Sequence, residues 1–292
     1  MEILNPSPVV ALPHAMWLVY RAVAGRDGLN RHEVSDLVVP MTLRPHTPVN
    51  GSGDHVKQAL KALIDLGLVS VSSDDLLTAE PLADARAFVR RLRRRIMVAT
   101  TSTGVYGAPD LRSGLVWLMR QAPTNPLDFD NVQASMPSGL FTNGTRWNSF
   151  RQWATVLGFG VSPVSALSAG RGVKASGEKI VANPTAAVRD VLQHPYKAPL
   201  PREEKLPVGQ FIANLREELP MLPGHPSATY PGLDTDVSND LRALGLALTT
   251  VELQGLIKMS YQSDPTGVMA LPDAKDYGRN RYVSTVTIKD AQ

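Results

Sequence analysis

The chain has no cysteine. That excludes disulfides, thiolate metal sites and cysteine nucleophiles together. Aromatic residues are sparse, at 6%. No apolar run approaches the roughly 18 residues that a membrane-spanning helix requires. The opening stretch, MEILNPSPVVALPHAM, has an early Glu2 and three prolines, unlike a signal peptide. These absences predict a soluble, cytoplasmic protein with no membrane contact. Several chemical signatures are missing too. Ala169-Gly170-Arg171-Gly172-Val173-Lys174 lacks phosphate-loop spacing, and no GxGxxG follows a predicted strand. The six histidines form no HExxH pair, and there is no GxSxG elbow. Asp128 and Asp130 stand near a helix start, where capping explains them. Asn143-Gly144-Thr145 fits a glycosylation sequon, but a helix cap accounts for it more simply. No catalytic residue, metal ligand or cofactor is expected, and the chain reads as non-enzymatic.

What is present is a repeated phrase. Gly51 to Glu80 reads as a helix, a glycine stop and a short hairpin. Val56, Leu60, Leu63 and Ile64 form one apolar stripe. Ser52 or Asp54 can cap the start, and Gly67 suits the left-handed position after the end. Leu68, Val69 and Val71 begin a strand, Ser72 to Asp75 turn, and Leu76 to Thr78 return. Trp147, Phe150, Ala154 and Leu157 repeat the stripe before Gly158. Leu241, Leu244, Leu248 and Val251 repeat it before Gly255, followed by a strand Leu256 to Tyr261, a turn, and a strand Val268 to Leu271. The three glycines lie 91 and 97 residues apart, a domain-sized period rather than a solenoid repeat. Helix, glycine and hairpin resemble the end of a winged helix-turn-helix. The expected fold is mainly α with small β-hairpins (α+β), arranged as three tandem winged-helix-like modules.

Module one (1–99) opens with a helix from His14 to Ala24. Asn30 and Glu33 then form a capping box for a second helix, Arg31 to Val38. A basic connecting helix from Leu82 to Ala99 follows the hairpin, with Phe88, Leu92 and Ile96 as its seam. Thr100 to Ala108 is the expected joint. Module two (100–193) has a helix starting at Pro109, a short helix within Asn125–Met136, and a final helix after Asn183-Pro184-Thr185. His194 to Pro207 is a proline-rich linker. Module three (208–292) starts with Phe211, Leu215 and Leu219 on one helix and ends on a strand from Arg281 to Ile288.

The net charge of +3 is small, but it is unevenly spread. Residues 1–100 hold 12 basic against 10 acidic side chains, and residues 101–200 hold 9 against 5. Residues 201–292 hold 9 against 12. A polyanion therefore suits the first two modules and a protein partner the third. The outward faces of the two recognition-type helices supply the candidates. They are His55, Lys57, Gln58 and Lys61 in module one, and Arg146, Asn148, Ser149, Arg151 and Gln152 in module two. Arg, Asn and Gln can make bidentate base contacts. Arg171 and Lys174 lie where a basic wing loop should be. In module three, Asn239 and Arg242 are flanked by Asp236 and Asp240, which would repel phosphate. Six arginines crowd residues 86–95, and Arg86, Arg90, Arg93 and Arg94 fall on one side of a helix. Such a row suits phosphates or an acidic partner, since like charges at i, i+4 weaken a plain solvated helix.

Three further stretches carry a family resemblance: Ile3-Leu4-Asn5-Pro6, Phe211 to Leu222 (FIANLREELPML), and Ser263-Asp264 through Pro272-Asp273-Ala274. With the overall element order, they resemble the DpdG family, encoded in bacterial islands that insert 7-deazaguanine derivatives into DNA and restrict unmodified DNA. The resemblance implies an accessory subunit of phage defence beside helicase and nuclease proteins, and no catalytic residue. Double-stranded DNA and such protein partners are the expected ligands. The alternative is a protein–protein scaffold in which the same modules never touch DNA.

Overall fold

A computed structural model describes residues 2–5, 9–39, 53–97, 107–163, 179–197, 199–233, 241–262, 267–272 and 279–290. The expected cap Ser52, the stretch Thr100 to Tyr106 and the turn Asp264 to Thr266 lie outside them. So do Arg171, Lys174, Asp236, Asn239 and Asp240. The chain divides into two compact units, 1–112 with 141–156, and 113–140 with 157–292. These units cut the chain differently from the modules 1–99, 100–193 and 208–292.

The first unit begins with α1 (Pro13–Ala24), whose Pro13 takes the first-turn position where a missing N–H costs nothing. Next comes α2 (Arg31–Val38), with the expected capping box. The Asn30 side chain accepts from His32 and Glu33 N–H, and Glu33 accepts from the Asn30 N–H. Then come α3 (Asp54–Asp65) and a hairpin of β1 (Ser70–Val71) and β2 (Leu77–Thr78). The start of α3 corrects the expected side-chain cap. The capping position is Gly53 in a left-handed conformation, and Asp54 is already inside the helix. Its end follows the sequence. Gly67 has φ +65°, its N–H reaches Ile64 O, and the Leu68 N–H reaches Leu63 O. That is the paired closure of a Schellman motif. The Leu77 N–H donates to the Leu29 carbonyl at 2.8 Å, so the residue just before the α2 cap is stitched to the returning hairpin strand.

The basic helix α4 (Ala85–Met97) buries Phe88, Leu92, Ile96 and Met97. Phe88 packs between Trp17 and Tyr20 of α1, at centroid distances of 5.2 and 5.1 Å. Helix α5 (Pro109–Leu118) follows, and Asp110 in its first turn accepts the backbone N–H groups of Ile3 and Leu4. Helix α7 (Gly144–Val156) completes the first unit. Asn143 caps it by accepting the Arg146 N–H, and Trp153 donates to Ala11 O.

In the second unit, Asp128 caps the one-turn helix α6 (Phe129–Val132), as the sequence suggests. Leu127, just before that cap, exchanges backbone hydrogen bonds with Ile180, which leads into β4 (Val181–Ala182). The arrangement repeats that of Leu29 and Leu77. Strand β4 pairs with β3 (Gly160–Val161), and α8 (Thr185–Gln193) follows.

The C-terminal part departs from the expected third hairpin. Helices α9 (Val208–Glu218) and α10 (Arg242–Leu253) bury the predicted stripes. After α10, however, β6 (Ile257–Ser260) does not pair with β7 (Met269–Pro272). Strand β6 pairs with β9 (Thr285–Ile288), and β7 with β8 (Asn280–Val283). The end of the proline-rich linker is also a strand, β5 (Lys205–Pro207), on the other side of β9. Buried Ile257 and Met259 find buried Ile288 and Val286 directly opposite. Cross-strand apolar pairs of this kind each stabilise a sheet by roughly 0.2–1 kcal/mol.

Candidate nucleic-acid interface

The face of α3 opposite its buried stripe is the best-formed candidate. Val56, Ala59 and Leu63 are buried in the stripe, Leu60 is buried but reaches the groove, His55, Lys57 and Lys61 are exposed, and Gln58 is half-buried. The helix does not present this face as a plain crest. Lys57, Gln58, Leu60 and Lys61 form one wall of a groove of about 520 Å³. Arg31, His32 and Ser35 of α2 form the other wall. Asp54 also lines the groove and pairs with Lys57 at 3.5 Å. Arg31 pairs with Asp75 of the hairpin turn at 3.3 Å, with both side chains more than half exposed. Exposed pairs of this kind contribute little and yield readily to a competing anion.

The residues of the α2 wall were not among the sequence candidates. No local sequence signal marks them, because this wall exists only where α2 lies against α3.

The basic helix α4 is only partly available. Arg86 and Arg95 are exposed, and Arg90 and Arg94 are half-buried and engaged within the protein. Arg93 is buried, at 6% exposure, which corrects its place in the outward row. The helix buries a stripe wide enough to take in Arg93 beside Leu92, Ile96 and Met97, so the exposed arc is narrower than six arginines imply. Arg91 pairs with Glu80, whose carbonyl also accepts the Tyr20 hydroxyl. Burial raises the Tyr20 pKa. Arg95 lies beside Gly67 at the C-terminal end of α3, where a cation suits the helix dipole.

On α7 the candidates are largely occupied. Arg146 is half-buried and pairs with Glu2 at 3.0 Å, and Arg151 donates to Asn148 Oδ1 at 2.9 Å. Ser149 corrects the outward set, because it is buried and donates to Thr145 O. Gln152 is exposed and Asn148 is exposed beside its Arg151 partner. Arg242 of α10 is exposed, and Arg171 and Lys174 are outside the described residues. The structure therefore gathers Lys57, Gln58 and Lys61 into one concavity and places the α7 set elsewhere on the surface of the same unit.

The profile of DpdG-like proteins matches residues 1–265. The chain belongs to the DpdG-like family. Membership suggests a role in 7-deazaguanine DNA modification islands. Among curated proteins and solved structures, nothing matches the chain. The matched span includes the α2–α3 groove, α4 and α7, and stops before β7, β8 and β9. Among the described residues, no three His, Asp or Glu side chains gather as metal ligands, and no helix is long and apolar enough to cross a membrane.

Proposed function

We propose that this chain is a non-enzymatic DNA-binding adaptor of a bacterial DNA modification and restriction system, built on winged-helix-like modules. The observation that carries this reading is the α3 face. Two exposed lysines flank a half-buried glutamine on a helix followed by a Schellman stop and a hairpin. Lysines at such a position hold phosphates, and an amide can read a base edge. The bridge from Leu29 to Leu77 supports the winged-helix reading, as does its counterpart from Leu127 to Ile180. Helicase and nuclease components of the same island are the natural protein partners, and the acidic C-terminal third is the surface offered to them.

A scaffold that binds only proteins is the second reading. A specific observation favours it. Arg91, Arg93, Arg146 and Arg151 are all engaged or buried within the chain rather than held out to a polyanion. The module-one hairpin turn is also acidic, with Asp74 and Asp75. Fluorescence anisotropy with a labelled duplex of about 30 base pairs at low salt separates the two. Binding supports the adaptor, and absence of binding overturns it in favour of the scaffold.

A further inference from the structure

The α2–α3 groove is poorly shaped for a base pair inside a duplex. A helix that reads stacked base pairs inserts a convex face into the major groove. Here Gln58 lines a concavity between two helices and is half-buried as a residue. Among the described residues it makes no hydrogen bond to the protein, although its helix is otherwise regular. The groove surface is more apolar than polar, and Leu60 with the long side chains of Arg31, Lys57 and Lys61 is among the groups that line it. The volume of about 520 Å³ lies within the roughly 300–1,000 Å³ of small-ligand sites.

We propose that this groove takes one unpaired nucleotide. The base lies against Leu60 and the aliphatic stems, with its hydrogen-bonding edge on the Gln58 amide. An amide carries both a donor and an acceptor, as does the edge of an unpaired base. The phosphate sits at the rim on Lys61 and Lys57, with Arg31 exchanging Asp75 for it. The nucleotide is either part of a DNA strand, extruded or unpaired, or a free nucleoside monophosphate. The proposal rests on the DNA-binding reading for its first source and deepens it. The module grips duplex at the rim and recognises a nucleotide that has left the stack. Extrusion costs least where pairing is already lost, so the groove favours damaged, bulged or frayed sites.

The test uses the full chain and two labelled duplexes of equal length, one fully paired and one with a single extrahelical nucleotide at its centre. The bulged duplex is expected to bind about tenfold more tightly, the discrimination of one good base contact. Gln58→Ala is expected to remove that preference, so that the variant binds the bulged and the paired duplex with equal affinity. Alanine is the best helix former, so the exposed α3 turn is retained. Lys61→Ala is expected to weaken both duplexes alike. A nucleoside monophosphate in excess separates the sources. Loss of the bulge preference identifies the free nucleotide as an equal occupant, and persistence confines the groove to DNA-borne nucleotides. Equal affinity of the wild type for both duplexes overturns the groove proposal and leaves the DNA reading standing. A preference that survives Gln58→Ala overturns it too, since a bulge also bends DNA. If neither duplex binds, the DNA reading falls. The groove then stands on Gln58-dependent binding of the nucleoside monophosphate, and its absence overturns the proposal.

Discussion

Single side chains separate structural from functional arginines. Arg93 and Arg86 are seven positions apart on α4, yet one is buried and the other exposed. Replacing Arg93 by alanine should cost stability, on the order of 1–3 kcal/mol for a buried charge-bearing partner, visible as a lowered denaturation midpoint. Arg86→Ala should leave that midpoint nearly unchanged. Asp75 gives a second contrast. It holds Arg31 and has φ +57°, a conformation that Asn also tolerates. Asp75→Asn should release Arg31 and tighten duplex binding, with the salt slope steeper by about 0.9 for one added phosphate contact. A third case is Asp110, whose pKa is raised by burial against the lowering effect of its bonds to Leu4, Leu111 and Ile3 N–H. A folded pKa above the unfolded value means that its stabilising contribution is present at low pH. The contribution is lost as pH rises through the folded pKa. Asp110→Asn should remove that component from the pH dependence of the unfolding midpoint, and NMR titration should place the native carboxyl above the usual aspartate range.

At the scale of elements, most of the helices were legible because their signals are local. The capping box at Asn30, the proline at the start of α5, the stop at Gly67 and the cap at Asp128 each depend on residues within one turn. The stripes on α3, α9 and α10 follow from a 3.6-residue period. The groove was half legible. The α3 residues Lys57, Gln58 and Lys61 could be named, but the α2 wall could not, because it depends on how two helices pack. Ser149 and Arg93 were misassigned for a related reason. A helix packed on more than one neighbour buries an arc wider than one stripe, and polarity alone does not show where that arc ends. The C-terminal strands were visible individually but not their pairing, since β6 finds β9 across more than twenty residues. One element-scale test is Gly245 of α10. A Cβ there would lie 2.9 Å from the Pro272 ring of β7. Gly245→Ala should therefore destabilise the chain by about 1–3 kcal/mol through overpacking, despite alanine's better helix propensity.

For the whole molecule, charge separates a basic first two-thirds from an acidic last third. The basic first two-thirds contain the α2–α3 groove, α4 and α7, and all lie within the matched residues 1–265. The central strand of the three-stranded sheet, β9, lies beyond that match. The sheet nonetheless needs β9, because among the described residues β5 and β6 pair only with it. The measurement that bears most directly on the central claim is the salt dependence of duplex affinity for the full chain and for Lys57/Lys61→Ala. The wild type should bind a duplex of about 30 base pairs with log affinity falling linearly against log salt. The double variant should bind more weakly, with a slope shallower by about 1.8 for two lost phosphate contacts. A wild type that fails to bind at low salt, or a double variant with an unchanged slope, would contradict the placement of DNA on the α3 face.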